Sequence, residues 1–368
     1  MLRVLHVIGK MDRAGAETVI MNIYRNIDRE RIQFDFMVFS SEEGDYDSEI
    51  KQMGGRIYRM PQFKWYNYFE LYKKFYSFFK KHPYKIVHGH RGSLAPAYLK
   101  AAKDNGAYTI AHSHATNSNR FFEGIAFKVL SYRVRYIADH FFACSRQAGI
   151  DRFGKKITES EKFDVLKNGI TSDNYKYSEE RHQQLKKKYG LDNKLLIGHV
   201  GRFSLEKNHR FIIDVFDKIY KEKTDSVLIL LGRGKEKKSI EKYVEEKNLN
   251  KQVLFWGVRD DIADMMNLFD AFIFPSLYEG LGIVGIEAQA AGLPCFFSEN
   301  IPQEAIVTNH VWQWNLEWGD EKWAINIMKI LNKFQRIDSQ KNILDAKYDI
   351  KNVAKDLQSF YLKVRNEG

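Results

Sequence analysis

Short apolar segments alternate with helical patterns along almost the whole chain, and this alternation constrains the fold more than any other feature. The first apolar segment is Leu2 to Ile8, and Ala16 to Ile27 follows it with apolar residues at helical spacing. Further strand candidates in the first half are Phe34 to Phe39, Arg56 to Met60, Lys85 to His90, Tyr108 to His114, His140 to Cys144 and Phe163 to Leu166. Strands separated by helices favour a parallel, doubly wound α/β sheet.

A charged stretch without strand candidates, Lys176 to Leu191, interrupts the alternation. After it the pattern starts again with Leu195 to Val200, Val227 to Leu231, Val253 to Trp256, Ala271 to Phe274 and Cys295 to Ser298. A chain of 368 residues is long enough for two domains with separate cores. We therefore predict one α/β domain over residues 1–178 and a second over 190–350, with a C-terminal helix in 351–368 that packs back on the first.

Composition excludes some protein classes and leaves others open. No stretch approaches the ~18 apolar residues of a spanning helix, and Met1 to Gly9 is too short for a signal peptide. The two cysteines, Cys144 and Cys295, match no metal site, and a reducing cytoplasm is expected. The net charge of +11 is compatible with nucleic acid, an anionic membrane surface or phosphorylated substrates.

The stretch from Phe274 to Pro294 carries the first candidate site, F-P-S-L-Y-E-G-L-G-I-V-G-I-E-A-Q-A-A-G-L-P. It is typical of a strand end, a turn and a glycine-rich entry into a helix, and a helix N-terminus attracts anions. Two carboxylates, Glu279 and Glu287, accompany this anion site. Ionised carboxylates accept hydrogen bonds, so the pair indicates a ligand that also carries hydroxyl groups, such as a sugar or a ribose.

A second candidate site follows the first strand of the second domain, in H-V-G-R-F-S-L-E-K-N. Gly201 and Arg202 lie at the carboxyl end of that strand, where open α/β sheets bind ligands, and Lys207 follows five residues later. A guanidinium fork and a lysine point charge suit a diphosphate. A solvated basic loop is the alternative for such a pair alone. Arg202 and Lys207 lie at the same sheet edge as the Phe274 to Pro294 stretch, and this shared position favours the diphosphate interpretation.

Together these segments resemble the family 4 glycosyltransferases of the GT-B fold. The resemblance rests on G-R-F with E-K-N at 201–208, on Glu279 and Glu287 in E-x7-E, and on E-A-Q-A-A-G-L-P from Glu287. Similar segments elsewhere are L-I-L-L-G-R-G at 228–234, A-G-A-E at 14–17, F-F-A-C-S at 141–145 and V-L-K-N-G-I at 165–170. It implies two Rossmann-like doubly wound parallel-sheet domains that face each other across a cleft.

The resemblance also implies a role for each matching residue. Arg202 and Lys207, next to Gly201, would hold the diphosphate of a nucleotide sugar and stabilise the negative charge that grows on it as it leaves the sugar. Glu279 would lie by the donor sugar. Glu287 would accept hydrogen bonds from the ribose hydroxyls. The backbone of Gly280, Leu281 and Gly282 would meet the sugar or phosphate. Gly15 would let the turn of the first domain approach the diphosphate. His114, at a strand end in A-H-S-H-A-T-N, would lie over the donor sugar.

Three more histidines share the strand ends with His114. His112 points to the same sheet face, and His88 and His90 repeat this spacing one strand over. For His88 and His112 a polar, hydrogen-bonded strand mouth is the favoured interpretation. A metal cluster is possible in principle, but no acidic or cysteine ligand accompanies the histidines. Asp45 and Asp47 form a D-x-D in a charged loop, a pattern that recurs by chance, so we expect no metal and no cofactor beyond the nucleotide-sugar substrate.

Aromatic and basic residues concentrate in the first domain. Phe63 to Tyr84 contains eleven aromatic residues, five lysines and one glutamate. A second stripe consists of Phe122, Ile125, Val129, Tyr132 and Tyr136, with Arg120, Lys128, Arg133 and Arg135 nearby. Helices that pack on the sheet explain both patterns. An interfacial surface on anionic lipid explains them as well and fits a lipid-linked acceptor.

The function predicted from these segments is that of a retaining glycosyltransferase. It moves a hexose or N-acetylhexosamine from a nucleotide sugar, with UDP the usual carrier, to a lipid-linked saccharide in exopolysaccharide or capsule synthesis. We expect a cytoplasmic protein, peripheral on the inner face of the membrane, that does not bind nucleic acid. The alternatives are a nucleotide-sugar epimerase or phosphorylase on the same scaffold and, motivated by the charge of +11, a basic nucleic-acid-binding protein.

Overall fold

The chain divides into two compact units, each built around one parallel sheet. The computed structural model describes residues 1–13, 15–62, 67–114 and 132–367. The first unit comprises Met1–Ile170 and Asp349–Gly368, and the second comprises Thr171–Tyr348. Helices separate the successive strands of both units, except that a 3-10 turn joins the last two strands, so the predicted pair of Rossmann-like α/β domains is confirmed.

The sheet of the first unit has seven strands in the order β3-β2-β1-β4-β5-β6-β7. They are β1 (Leu2–Val7), β2 (Ile32–Val38), β3 (Ile57–Arg59), β4 (Ile86–Gly89), β5 (Tyr108–Ser113), β6 (His140–Ala143) and β7 (Phe163–Val165). The described helices of this unit are Gly15–Asn26, Asp47–Gln52, Tyr68–Lys81, Ala95–Lys103, Val134–Ile137, Arg146–Phe153, Lys155–Thr158 and Ile350–Glu367.

The C-terminal helix Ile350–Glu367 belongs to the core of the first unit. The amide of Ile350 donates to the carbonyl of Ile170 at 2.8 Å, where the chain returns from the second unit. Tyr361 is fully buried against β1 and β2, in a cluster that includes Phe34. Burial of an aromatic side chain of this size contributes roughly 2–3 kcal/mol, so this helix stabilises the sheet.

The sheet of the second unit has six strands in the order β10-β9-β8-β11-β12-β13. They are β8 (Leu195–Val200), β9 (Ser226–Leu231), β10 (Val253–Gly257), β11 (Ala271–Phe274), β12 (Cys295–Ser298) and β13 (Val311–Trp314). The helices are Ser172–Tyr175, Glu179–Tyr189, His209–Glu222, Lys237–Glu246, Ile262–Leu268, Ile283–Ala290, Gly319–Leu331 and Gln340–Asp345. The apolar faces of these helices and strands form a core of their own.

Two features of the second unit differ from the sequence pattern. The charged stretch before Leu191 is the helix Glu179–Tyr189, which packs on Ile262–Leu268 and so belongs to this unit. The edge strand β13 was not among the strand candidates. All four of its residues are only partly buried, so it lacks the continuous apolar run that reveals a central strand.

The D-x-D pair has a structural role in the first unit. Asp47 is buried and forms an ion pair with Arg59. A side-chain oxygen of Asp45 accepts from the backbone amide of Arg13 at 2.9 Å. These contacts join the loop before the helix Asp47–Gln52 to β3 and to the segment after β1.

Candidate functional site

Two loops at the carboxyl ends of β8 and β11 form the candidate site of the second unit. β8 leads into Gly201 and Arg202 and then into a short 3-10 turn, Leu205–Lys207. The loop after β11 runs beside this turn: the amide of Leu277 donates to the carbonyl of Glu206 at 2.8 Å. Parallel strands end at the same sheet edge, which is why residues more than seventy positions apart meet here.

Lys207 lies at the centre of this site. Its ammonium group forms a half-buried ion pair with Glu279 and lies 5.1 Å from the ring centre of Phe274. A Cβ on Gly201 would lie 3.4 Å from Cδ of Lys207, so Gly201 lies against the lysine side chain. The structure thus brings together Gly201, Lys207 and Glu279.

Arg202 differs from Lys207 in having no such partner. It is exposed at the end of β8, and no carboxylate within the described residues forms an ion pair with it. An exposed guanidinium beside the Lys207–Glu279 ion pair gives the site a further cation for an anionic ligand.

The glycine-rich entry to the helix Ile283–Ala290 borders the same site. Gly282 precedes the helix with φ of +81°, and a Cβ there would lie 2.8 Å from the Phe274 ring. Leu281 is buried, whereas Gly280 and Gly282 are partly exposed. The first turn of a helix has amide groups without carbonyl partners inside the helix, and these give its start a positive partial charge.

Glu287 lies on the second turn of that helix and has its own partner. Oε1 of Glu287 accepts a hydrogen bond of 2.8 Å from the hydroxyl of Tyr175, in the helix Ser172–Tyr175. Burial raises the pKa of Glu287 to about 7, although the hydrogen bond from Tyr175 acts in the opposite direction. Burial beside the carboxylate raises the pKa of Tyr175 well above its usual value, so Tyr175 remains a donor. No sequence motif marked Tyr175.

A second group of polar side chains lies at the strand ends of the first unit. We call it the histidine cluster: His6 on β1, His88 and His90 at the end of β4, and His112 and His114 at the end of β5. Nδ1 of His6 lies 2.9 Å from Nε2 of His90, whose Nδ1 lies 2.8 Å from Nε2 of His114. The rings of His112 and His114 are stacked at 4.0 Å.

Burial determines the charge state of the histidine cluster. It lowers the pKa of His6 to about 3 and that of His114 to about 4. It lowers the pKa of His88, His90 and His112 well below the usual value, and the neighbouring histidines add to this effect. The five rings are therefore neutral near pH 7.

His6 is a member that the sequence analysis missed, because it lies inside an apolar strand segment. His6 on β1 is the register partner of His88 on β4, which brings the two rings together. The register between two strands cannot be read from the sequence of either strand alone. Nδ1 of His88 lies 2.5 Å from the hydroxyl of Tyr361 on the C-terminal helix, and this hydrogen bond fixes the orientation of the His88 ring.

Gly15 begins the helix Gly15–Asn26. A Cβ on Gly15 would meet no atom of the described residues within 4 Å, so packing within the unit does not require a glycine there. Its approach to a diphosphate stays a prediction. Ala14 lies outside the described residues, as do Phe63 and the stripe members Arg120, Phe122, Ile125, Lys128 and Val129.

Known proteins resemble this chain over most of its length. EpsF of Bacillus subtilis, described as a glycosyltransferase, is 34% identical over 308 residues, 82% of this chain and 80% of EpsF. The Escherichia coli UDP-Gal:alpha-D-GlcNAc-diphosphoundecaprenol alpha-1,3-galactosyltransferase is 27% identical over 70% of each chain. The crystal structure of Anabaena HepE in complex with UDP and glucose has a TM-score of 0.81, with 19% identity over 98% of this chain and 99% of HepE. The fold and the similarity to EpsF define a glycosyltransferase of the GT-B fold.

Two family descriptions match consecutive parts of the chain. Residues 13–174 match "Glycosyltransferase Family 4" and residues 181–343 match "Glycosyl transferases group 1". With the similarity to EpsF, these matches show that the chain belongs to the family 4 glycosyltransferases. Among the described residues, no helix is long and apolar enough to cross a bilayer.

Proposed function

We propose that this enzyme is a retaining glycosyltransferase that moves a hexose or N-acetylhexosamine from a UDP-sugar to a lipid-linked saccharide in exopolysaccharide or capsule synthesis. The observation that carries the proposal is the Lys207–Glu279 ion pair beside the start of the helix Ile283–Ala290. A UDP-sugar has both kinds of group that this site suits, a diphosphate and hydroxyls. The complex of HepE with UDP and glucose, and the donor and acceptor in the name of the Escherichia coli enzyme, support this choice.

Each group then has a chemical task. Lys207 and the exposed Arg202 bind the diphosphate and stabilise the charge that grows as it leaves the sugar. Glu279 accepts from sugar hydroxyls while it holds the Lys207 ammonium in place. Glu287 accepts from the ribose. The backbone of residues 280–282 contacts the sugar or the phosphate.

The anomeric configuration is retained if the departing diphosphate itself serves as the base for the acceptor hydroxyl. The carboxylate of Glu279 is already paired with Lys207, which makes it a poor nucleophile toward the sugar. Departure and attack on the same face, with a diphosphate oxygen taking the proton of the acceptor hydroxyl, need no covalent intermediate. This route leaves the anomeric configuration unchanged.

The decisive experiment has two stages. A thermal-shift screen of nucleotide sugars should identify a UDP-sugar that raises the melting temperature. Transfer from that donor to a polyprenyl-diphosphate saccharide should then give a product whose anomeric configuration, read by NMR, matches the donor. An inverted product contradicts retention, and stabilisation only by other nucleotides contradicts the UDP assignment.

The affinity for a UDP-sugar should depend on pH through Glu287. Its pKa in the free protein is about 7, and only the ionised carboxylate accepts from both ribose hydroxyls. Affinity should therefore rise with pH through 7 and fall by about tenfold between pH 8 and pH 6, since each pH unit below the pKa reduces the ionised fraction about tenfold. Titration calorimetry with UDP-glucose measures this dependence, because its diphosphate does not ionise further near neutrality.

Two variants serve as controls for this dependence. Glu287→Gln should bind more weakly and show a flat profile between pH 6 and pH 8. Tyr175→Phe removes the hydrogen bond that favours the carboxylate, so the midpoint should move to higher pH. A wild-type affinity that does not change over this range contradicts the role of Glu287.

We also propose that the first unit docks on an anionic membrane surface. The helix Tyr68–Lys81 buries Leu71, Phe75 and Phe79 and exposes a face with Phe69, Lys73, Tyr76 and Lys80. Phe69 is 79% exposed, an unusual state for phenylalanine. Aromatic rings with lysines on one face suit the headgroup layer, and lysines favour anionic lipid.

Flotation with liposomes tests this docking. At low salt the protein should float with phosphatidylglycerol liposomes and not with phosphatidylcholine alone. The double change Lys73→Glu and Lys80→Glu should abolish flotation, while Lys238→Glu and Lys242→Glu, on a helix of the second unit, should leave it unchanged. Equal flotation of both double variants contradicts docking through this helix.

A further inference from the structure

The histidine cluster contains more ring nitrogens than its hydrogen bonds use. A neutral imidazole has one N–H group and one lone pair. Among the nitrogens of the histidine cluster, those that are buried without a hydrogen-bond partner are Nε2 of His6, Nε2 of His88, both nitrogens of His112 and Nδ1 of His114. Buried polar atoms in native proteins nearly always have a partner in the protein, in ordered water or in a bound ion.

Three members of the cluster are arranged as metal ligands. One nitrogen each from His90, His112 and His114 lies within 4.8 Å of the other two. Zinc–nitrogen bonds of 2.0–2.1 Å in a tetrahedral site place ligand nitrogens about 3.4 Å apart. The ring centre of His90 lies 5.2 Å from that of His112 and 5.0 Å from that of His114, and the rings of His112 and His114 are stacked at 4.0 Å. The rings therefore have to rotate on their strands for the three nitrogens to reach one ion.

The neighbours of these three residues favour a preformed site. His90 and His112 extend from β4 and β5, which pair in register, so the sheet fixes their separation. His112 is buried, whereas His90 and His114 are partly exposed and leave a path by which an ion can enter. His6, His88 and His90 form a second triple that shares His90. Apart from His90, the first triple has three nitrogens without hydrogen-bond partners, two on His112 and one on His114, whereas the second has two, one each on His6 and His88.

We propose that His90, His112 and His114 bind a divalent transition-metal ion, with Zn²⁺ as the favoured ion. Three imidazoles are borderline ligands that suit Zn²⁺, Co²⁺, Ni²⁺ and Cu²⁺, whereas Mg²⁺ and Ca²⁺ need oxygen ligands. This differs from the sequence-based expectation of no metal, because that expectation looked for an acidic or cysteine ligand and did not include ring nitrogens without hydrogen-bond partners.

Metal binding by the full-length chain, with any affinity tag removed, tests the proposal. Equilibrium dialysis at pH 7.5 should give one Zn²⁺ per chain, and a large excess of Mg²⁺ should not displace it. Co²⁺ in the same site should give the intense visible absorption of a four-coordinate ion. X-ray absorption at the zinc edge should show imidazole nitrogens at about 2.0 Å.

Substitutions locate the ion. His112→Asn and His114→Asn should each weaken Zn²⁺ binding by at least about tenfold, since each removes one of three protein ligands. His140→Asn is the matched control, because His140 is a buried histidine of the same sheet that belongs to neither triple, and it should bind zinc like the wild type. Circular dichroism verifies that each variant is folded.

Three results overturn the proposal: less than one zinc ion per chain in the wild type, displacement by Mg²⁺, or folded His112→Asn and His114→Asn variants that bind zinc normally. If either variant does not fold, the wild-type X-ray absorption spectrum decides, because fewer than three imidazole nitrogens around zinc contradict the site. None of these measurements requires a sugar donor. The outcome is therefore independent of the proposed transfer reaction.

Discussion

Replacing Lys207 with alanine is expected to lower kcat by at least about a hundredfold. The ammonium group is held against Glu279 and the Phe274 ring before any ligand arrives, so it needs no reorganisation when negative charge develops on the departing diphosphate. Removing one such preorganised group typically costs about 10²–10³ in kcat. The loss should appear mainly in kcat, because the charge is greater in the transition state than in the bound donor.

Variants around Lys207 separate this role from a structural one. Lys207→Arg keeps the charge but not the shape of the ammonium group, so it should restore only part of the activity. Arg202→Ala should also lose most activity while melting like the wild type, since Arg202 is exposed. Lys238→Ala, at an exposed lysine on the helix Lys237–Glu246, is the control and should turn over normally. Near-normal turnover of Lys207→Ala or Arg202→Ala contradicts the diphosphate role.

The ion pair also explains why two carboxylates lie beside an anion site. Glu279 is neutralised by Lys207, and the pKa of Glu287 is raised to about 7 by burial. Neither group therefore presents the full repulsion that an isolated carboxylate would exert on a diphosphate. Arg202 is exposed and has no carboxylate partner among the described residues, so its charge remains available to a diphosphate.

Sequence reasoning located the parts of this site that depend on strand ends. The bounds of β8, β11 and β12 are those predicted, because these strands are short apolar runs bounded by turn residues. Lys207 and Glu279 follow two of these strands, and parallel pairing of β8 with β11 brings them together. The contact was therefore implicit in the strand pattern once a parallel sheet was assumed.

Other contacts of the two units could not be predicted in this way. Tyr175 reaches Glu287 from a four-residue helix that has no periodicity to reveal it. His6 joins the histidine cluster through strand register, and β13 is an edge strand whose residues are all only partly buried. In each case tertiary packing determines the contact, and a local pattern carries no signal of it.

Replacing Gly232 with alanine is expected to destabilise the second unit by about 3 kcal/mol. Gly232 has φ of +139°, and a Cβ there would lie 2.0 Å from the backbone oxygen of Gly201. Strained backbone and overpacking each cost roughly 1–3 kcal/mol. The clash is with backbone, so no side chain can move to relieve it.

The position of this clash connects stability with function. The amide of Gly201 donates to Leu231 at 2.9 Å, and that of Phe203 donates to Arg233 at 3.1 Å, so backbone hydrogen bonds hold the two strand-end loops together. A methyl group on Gly232 must push Gly201 away, and Arg202 moves with it. The variant should therefore lose transfer activity as well as stability.

Gly257→Ala is the matched control for this change. Gly257 has φ of +69°, but a Cβ there would meet no described atom within 4 Å, so alanine should cost only roughly 1–2 kcal/mol of backbone strain. Thermal melts should place Gly232→Ala several degrees below Gly257→Ala, because about 1 kcal/mol corresponds to roughly 2–4 °C in a domain of this size. Equal melting temperatures would show that the loops after β8 and β9 can separate freely. The close approach at Gly232 would then not be what fixes Arg202 in the site.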